Sequence, residues 1–184
     1  MSAIRGTKEW AVAEVNCSIG CPYGCRYCYA RTKALKNNII GSAADWTTVK
    51  CIEEDLPGQV MFPASHDIVE ENLDDCLRVI GRLLAKNNRV LIVSKPFPDM
   101  VERLCDEFVR WKQQILFRFT ITARDAKILA FWEPGAPGYQ QRRQSLEYAH
   151  SRAFATSVSI EPMLDADDIF GLVEEVSPFV SHSI

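Results

Sequence analysis

The chain has 184 residues, of which 47% are hydrophobic and 24% charged, and its formal net charge is −3. That length suits one domain with a sizeable core, and the chain has neither an apolar run long enough to cross a bilayer nor an apolar leader, so we expect a cytoplasmic protein. The charge gives no general electrostatic reason to expect nucleic acid. Basic residues cluster locally at Arg142, Arg143 and Arg152, and a solvated helix face explains them at least as well as a binding surface.

Apolar runs of strand length alternate with stretches of helical periodicity along the chain. Strands are predicted over residues 9–17, 59–65, 89–95, 115–122 and 154–162. Helices are predicted over residues 71–88, 98–114, the second part of 132–153, and 165–178. Asn72 is a suitable N-cap for the first of these helices, and Asn87 and Asn88 tolerate the turn that ends it. Repeated strand–helix–strand units favour a parallel α/β sheet with right-handed crossovers.

The last residues, 179–184, have the pattern of a sixth strand. A parallel strand without a following helix leaves one face of the sheet uncovered. Either a partner covers that face or the chain is the N-terminal part of a longer protein, and we favour truncation.

Seven cysteines occur, and an odd number without a secretion signal argues against a disulfide framework. Cys76 and Cys105 lie within helical patterns among leucine and valine, so we predict that they are small buried hydrophobic residues. Cys51 has no obvious partner in the sequence.

The other four cysteines are concentrated in "NCSIGCPYGCRYC". Cys21, Cys25 and Cys28 form a C-x3-C-x2-C motif, and Cys17 precedes them by four residues. Two glycines and a proline in this stretch predict a loop that wraps around a ligand. Converging thiolates repel one another unless a soft metal centre neutralises them. The loop follows the first predicted strand, and parallel α/β barrels build their sites at the carboxyl ends of strands.

Three kinds of metal site fit these residues. A structural zinc site uses four thiolates, although zinc motifs usually consist of two separated C-x2-C pairs. A ferredoxin-type electron carrier needs a fourth cysteine, for which Cys17 is the candidate. A [4Fe–4S] cluster held by three cysteines leaves one iron open, and an open coordination position is typical of a catalytic metal.

The motif resembles the signature of radical S-adenosylmethionine (radical SAM) enzymes, C-x3-C-x-aromatic-C. Tyr27 is the aromatic residue of this signature, and the resemblance implies that it contacts the cofactor. The longer run "GCPYGCRYCYA" resembles the branch related to spore photoproduct lyase, as do "EPGAP" at 133–137 with Arg142 and the dipeptide "SK" at 94–95. The likeness covers almost the whole chain. It implies an α/β fold, a partial (β/α)6 TIM-like barrel that residues 1–184 leave truncated at the sixth strand.

The resemblance also implies a mechanism. Cys21, Cys25 and Cys28 would bind three irons of a [4Fe–4S] cluster, and S-adenosylmethionine would chelate the fourth. An electron from an external donor of the flavodoxin or ferredoxin type would cleave the sulfonium to a 5′-deoxyadenosyl radical, which abstracts hydrogen from a substrate. The substrate is not specified by the sequence. Kinship with a DNA-repair lyase points to nucleic acid, but the charge does not support it.

Further cofactor contacts are expected at strand ends. The family's Gly-Gly-Glu stretch after the second strand is replaced here by "PASHD", so Ser65, His66 and Asp67 are the candidates for the methionine amino group. His66 fits a ligand, a proton donor or a turn residue equally well. Ser94 and Lys95 end the third strand, where a hydroxyl and an ammonium would meet the cofactor carboxylate, or would simply be solvated.

The fourth and fifth strands supply the remaining candidates. Thr120 and Thr122 alternate along a strand, so they share one face and are candidates for the ribose, or are threonines satisfied by the backbone. Glu161 ends an apolar strand, and because a buried carboxylate is costly without a partner we expect it to contact the ligand. Glu133 and Arg142 are expected to pair and to order the intervening loop.

Overall fold

The computed structural model describes residues 9–38, 47–48, 56 and 58–182. The strands are β1 (Ala13–Glu14), β2 (Ser18–Ile19), β3 (Thr47–Thr48), β4 (Gln59–Phe62), β5 (Arg89–Ser94), β6 (Ile115–Thr120) and β7 (Ala155–Ser159). The α-helices are α1 (Tyr29–Lys36), α2 (Leu73–Ala85), α3 (Pro98–Glu107), α4 (Ala126–Trp132), α5 (Tyr139–Ser151) and α6 (Ile169–Val176).

Five of the strands form one parallel sheet in the order β1-β4-β5-β6-β7. The order in the sheet follows the order in the chain, without the reversal that defines doubly wound sheets. β2 and β3 form a separate antiparallel pair. The predicted α/β class with parallel pairing is confirmed.

One face of the sheet carries the main hydrophobic core. Phe62, Ile92 and Phe117 are neighbours across β4, β5 and β6, and each is fully buried. Helix α3 contacts both α2 and α5, and the three helices cover this face. The apolar positions of α2 recur at helical spacing, which is why one side of this helix is buried and the other is exposed. Each large core side chain contributes about 1.5–3 kcal/mol by leaving water.

All five strands predicted for the sheet are present but shorter than their apolar runs. β4 ends directly before Pro63, because proline has no N–H to donate to a neighbouring strand, and β7 ends at Ser159. The sixth predicted strand is absent as far as residue 182. A short 3-10 helix (Ser177–Phe179) is followed by backbone N–H groups of Ser181 and His182 that both donate to Thr156 O, at 3.0 Å. The segment therefore runs beside β7 without strand geometry.

The helices differ from their predictions mainly at the ends. Asn87 adopts the left-handed conformation (φ 60°) that ends α2, as expected of asparagine. Asn72 occupies the N-cap position of α2, but its side chain makes no capping bond there. The predicted helix over 98–114 breaks at Glu107 and continues as a 3-10 helix over Val109–Gln114, and α1 and α4 were not predicted.

Within the described part of the chain, no helix has both the length and the hydropathy needed to cross a membrane. Cys76 and Cys105 are fully buried, as predicted, whereas Cys51 lies outside the described residues. The interpretation of Arg142, Arg143 and Arg152 as a solvated helix face is wrong for Arg142, which is fully buried.

Candidate metal and cofactor site

The three motif cysteines lie around one pocket. Its wall also includes Ser65 and the start of α1, where the Cys28 Sγ accepts the Arg31 N–H at 3.4 Å as the N-cap. Two glycines of the loop have positive φ, 111° at Gly20 and 62° at Gly24, which L side chains rarely adopt and which allow the chain to turn around the pocket. The pocket opens where β1 and β4 end. This is the end of a parallel sheet at which α/β proteins place ligands.

Burial favours the protonated form of two of the motif thiols, Cys21 and Cys25. Burial is the main cause that raises the pKa of Cys21 to about 12, and the carboxylate of Asp67 adds to it. Burial also raises the pKa of Cys25 to about 11, against the opposing charge of Lys95. A metal centre that binds here must displace these protons, which a soft, highly charged cluster does.

The spacing of the sulfur atoms distinguishes among metal centres. A single tetrahedral zinc ion with Zn–S bonds of 2.3 Å requires its thiolate sulfurs to lie about 3.8 Å apart. Among the described residues, the group whose ligand atoms all lie within 4.8 Å of one another is Cys17, His66 and Cys76, and the three motif cysteines do not form such a group. At least one pair of the motif sulfurs therefore lies farther apart than a single tetrahedral zinc ion requires. Cys17 has its own neighbours, Cys76 Sγ at 3.6 Å and His66 Nε2 at 3.5 Å.

A buried ion pair lies beneath the aromatic residue of the motif. Glu133 and Arg142 are paired with both side chains completely buried, which confirms the predicted pairing. The Glu133 carboxylate also accepts the Tyr27 hydroxyl and, at 3.2 Å, the Thr122 hydroxyl. Arg142 further donates to Thr120 O at 3.1 Å, and to one more backbone carbonyl. The pair therefore ties the cysteine loop to the end of β6 and to α5.

The segment 133–137 forms a second support for the loop. The Gly135 N–H donates to Tyr23 O at 2.9 Å, and a Cβ at Gly135 would lie 2.9 Å from the carbonyl oxygens of both Pro22 and Tyr23. Since real Cβ atoms essentially never approach that closely, this position requires glycine. The Arg26 N–H donates to Trp132 O at 2.8 Å, so a second backbone bond joins the loop to the end of α4, directly before this segment.

Asp67 connects two of the predicted strand-end groups. Its buried carboxylate accepts the Ser94 hydroxyl, the Lys95 N–H at 3.0 Å and the Ile68 N–H at 2.9 Å. Burial is the largest cause of the raised pKa of Asp67. The Lys95 ammonium lies 5.6 Å from the centre of the Tyr27 ring. The structure thus brings Asp67, Ser94, Lys95 and Tyr27 together beside the cysteine loop.

Ser65 and His66 are adjacent in the chain but have different neighbours in the structure. Ser65 lines the pocket, and its N–H donates to Asn16 Oδ1 at 2.7 Å. The His66 Nε2 lies 3.5 Å from the Cys17 Sγ and within 4.8 Å of the Cys76 Sγ, and His66 is not among the residues that line the pocket. A cofactor contact remains a prediction for Ser65, and for His66 the structure offers another partner set.

Thr120 and Thr122 are both buried, and Thr122 is satisfied by Glu133 rather than by the backbone. Glu161 is exposed beyond the end of β7, so the expected burial of its carboxylate is wrong. The chain leaves the sheet after Ser159, which frees the carboxylate from the apolar strand. The ligand contacts of all three residues stay predictions.

Arg118 is a half-buried charged residue that was not predicted as a site residue, and it lies in the middle of β6 on the face opposite the main core. Its Nε donates to Ser157 Oγ at 3.1 Å, and its guanidinium lies 4.9 Å from the centre of the Trp10 ring. Burial lowers the pKa of this arginine. A charged residue flanked by apolar ones in a strand was the available signal.

Fold and site together define an α/β protein with a five-stranded parallel sheet and a cysteine-lined pocket at the carboxyl ends of its strands. No protein-family model matches the chain. The chain is 26% identical over 179 residues to the uncharacterized protein MJ0683 of Methanocaldococcus jannaschii, covering 91% of this chain and 66% of that protein. It therefore spans just under two thirds of this curated relative.

Among solved structures, the chain is similar to SuiB of Streptococcus suis bound to S-adenosylmethionine. The TM-score is 0.62 at 12% identity, and the match covers 95% of this chain and 38% of that chain. This likeness establishes a shared fold.

Proposed function

We propose that the chain is a radical SAM enzyme core, in which Cys21, Cys25 and Cys28 hold a [4Fe–4S] cluster and S-adenosylmethionine binds the remaining iron. The observation that carries the proposal is the pocket lined by all three motif cysteines at the carboxyl end of the parallel sheet. The fold likeness to a protein solved with S-adenosylmethionine supports it.

The donor set fits the proposed group. Three thiols line one pocket without forming the close group that one ion requires, and this arrangement fits a cluster bound by three cysteines. When bound, the cluster and the nucleoside supply one capability, the one-electron cleavage of a sulfonium to a 5′-deoxyadenosyl radical that takes hydrogen from a substrate. The N-terminus of α1 faces the cluster site through Cys28, and the positive end of a helix favours the negative charge of thiolate ligands.

The chain's own residues position the cofactors. Tyr27 is held by the buried Glu133, so its ring keeps one orientation between the second and third ligands of the motif. Lys95 brings a cation close to that ring and to Cys25, where a cofactor carboxylate would be paired. Ser65 presents a hydroxyl at the pocket wall.

The finer assignments follow from the same proposal. Strand order equal to chain order supports a partial six-stranded barrel, since doubly wound sheets reverse their order. The two charged residues of the "EPGAP…R" segment, Glu133 and Arg142, form a buried ion pair. A structural role for these residues supports the proposed assignment to the branch related to spore photoproduct lyase. We propose a flavodoxin or ferredoxin as the electron donor. The substrate stays open, with nucleic acid one class to assay.

Anaerobic reconstitution with iron and sulfide tests the proposal. We expect four irons and four sulfides per chain, an EPR signal of the reduced cluster that S-adenosylmethionine changes, and formation of 5′-deoxyadenosine with a chemical reductant. Cys25→Ala should lose the cluster, whereas Cys105→Ala, which removes a buried thiol from α3, should retain it.

Cys17→Ala separates this proposal from a four-cysteine electron carrier or zinc protein. Cluster content and the response to S-adenosylmethionine should survive the substitution, because Cys17 contacts Cys76 and His66. Loss of the cluster in Cys17→Ala, together with an EPR signal indifferent to S-adenosylmethionine in the unmodified chain, would refute the enzyme assignment.

A further inference from the structure

A second group of ligand-type side chains lies outside the motif. The Cys17 Sγ is 3.6 Å from the Cys76 Sγ and 3.5 Å from the His66 Nε2, and all three ligand atoms lie within 4.8 Å of one another. The exposed fractions are 2% for Cys17, 9% for His66 and 0% for Cys76. Three polar or polarisable groups thus converge inside the protein, contributed by the segment after β1, the segment after β4 and helix α2.

The distances match a mononuclear tetrahedral site. With Zn–S bonds of 2.3 Å and Zn–N bonds of 2.0–2.1 Å, tetrahedral zinc places sulfurs about 3.8 Å apart and a sulfur and a nitrogen about 3.6 Å apart. The observed separations differ from these values by about 0.2 Å or less. These two separations already suit one ion, and the third, between the Cys76 Sγ and the His66 Nε2, is no more than 4.8 Å.

The hydrogen bonds around His66 prepare its Nε2 for a metal. The Nδ1 lies 2.9 Å from Asp67 O, and because a carbonyl only accepts, the proton is on Nδ1 and Nε2 is the acceptor. The Nε2 lone pair now accepts the Cys17 N–H at 3.3 Å, so a metal ion would replace that bond. Histidine ligands of metals commonly donate their other N–H in this way. Asn72 Nδ2 donates to the same Asp67 carbonyl at 2.9 Å, and Asn72 Oδ1 accepts from the Cys76 thiol at 3.4 Å.

We propose that Cys17, His66 and Cys76 bind one zinc ion, at a site distinct from the cysteine pocket. Two thiolates and Zn²⁺ sum to zero charge, so the complex can be buried at low electrostatic cost, whereas Cu⁺ in the same site would leave one uncompensated negative charge. Asn72 Oδ1 provides a nearby oxygen for the fourth position.

The ion would stabilise the segments that support the candidate active site. Cys17 begins the segment that leads into the motif, and His66 immediately precedes Asp67, whose carboxylate holds Ser94 and the Lys95 N–H. One ion would therefore fix the relative positions of the ends of β1, β4 and β5. The role is structural, and it does not depend on the activity proposed above.

The test measures zinc in the full chain with the motif removed. In Cys21→Ala/Cys25→Ala/Cys28→Ala, we expect one equivalent of zinc after dialysis against micromolar zinc, and visible thiolate-to-metal absorption when cobalt(II) is used instead. Adding Cys76→Ser or His66→Gln should reduce the bound zinc at least tenfold. Adding Cys105→Ser, at an equally buried thiol, should leave it unchanged.

The unmodified chain provides a second measurement that does not rely on the variants folding. Zinc X-ray absorption should show two sulfur ligands with nitrogen or oxygen completing the shell. Less than a tenth of an equivalent of zinc in the motif-free chain, retention of zinc by Cys76→Ser, a shell of three or four sulfurs, or a Cys17–Cys76 disulfide in place of bound metal would each overturn the proposal.

Discussion

Replacing Arg142 with methionine tests the central structural claim about the cysteine loop. The guanidinium is fully buried and pairs with Glu133, and it also donates to Pro137 O at 2.8 Å and Thr120 O at 3.1 Å. Methionine fills most of the volume but leaves a buried carboxylate without its counterion. Removing one partner of a buried ion pair lowers the free energy of unfolding by about 3–5 kcal/mol, and this figure includes the loss of the hydrogen bonds that the arginine donates.

We therefore expect Arg142→Met to lower the free energy of unfolding by about 4 kcal/mol. For a chain of this size, each kcal/mol corresponds to about 2–4 °C in Tm, so the melting temperature should fall by about 8–16 °C. Urea unfolding followed by circular dichroism measures the free energy, and a thermal scan checks it. Adding Glu133→Met should restore part of the loss, with a coupling free energy of about 2 kcal/mol or more.

Arg143 is the matched control on the same helix. Its ion pair with Glu147 lies at the surface with about a third of each side chain exposed (35% and 37%), so Arg143→Met should change stability by less than about 1 kcal/mol. If Arg142→Met unfolds within 1 kcal/mol of the unmodified chain, or if the two substitutions are equivalent, the buried pair does not support the loop as we argue.

Three further outcomes follow from the contacts described. Tyr27→Phe removes the hydroxyl that Glu133 accepts, and should lower stability by about 1 kcal/mol in urea unfolding; a loss below 0.3 kcal/mol would mean that water replaces the bond. Phe117→Ala empties a fully buried site in the middle of the sheet and should cost about 3–5 kcal/mol, and a cost under 1.5 kcal/mol would contradict the packing described. Bonds from the Tyr139 hydroxyl and from Arg124 lower the pKa of Glu175 below its ordinary 4.5. The stability that these bonds contribute is therefore complete above pH 4.5 and is lost as the pH falls through the lowered pKa. Arg124→Gln should flatten the acid limb of a plot of stability against pH, and an unchanged acid limb would refute this assignment.

Much of the fold was predictable because its signals are local. Apolar runs of five or six residues separated by helical periodicity identify β5, β6 and β7 and the helices between them. What failed depends on neighbours that are distant in sequence. β1 has two residues because its partner β4 pairs with only part of the apolar run, and α1 begins at a cysteine N-cap that no composition rule anticipates.

The site was predictable where its residues are consecutive. The motif cysteines do share a pocket, and Glu133 and Arg142, nine residues apart, are paired. Glu161 was misplaced because strand patterning does not reveal where a strand leaves the sheet. The Cys17 group was invisible for another reason. Its members are separated by 49 and 59 residues, and a cysteine in an amphipathic helix has the same pattern whether it packs against leucine or faces a second thiol.

The two buried polar clusters explain why the candidate site can be rigid although most of its residues lie in loops. A loop residue keeps one position only if contacts compensate the conformational entropy that ordering costs, about 1–2 kcal/mol per residue for the backbone. On one side of the cysteine loop, the Glu133–Arg142 pair fixes Tyr27; on the other, the Asp67 carboxylate fixes the ends of β4 and β5.

Breaking either cluster should therefore loosen the motif before it unfolds the sheet. Hydrogen exchange should detect this as faster exchange at the Cys28 N–H, bonded to Cys25 O at 3.2 Å, than at amides of β6 in Arg142→Met. Uniform acceleration across both segments would instead show that the loop and the sheet open as one unit.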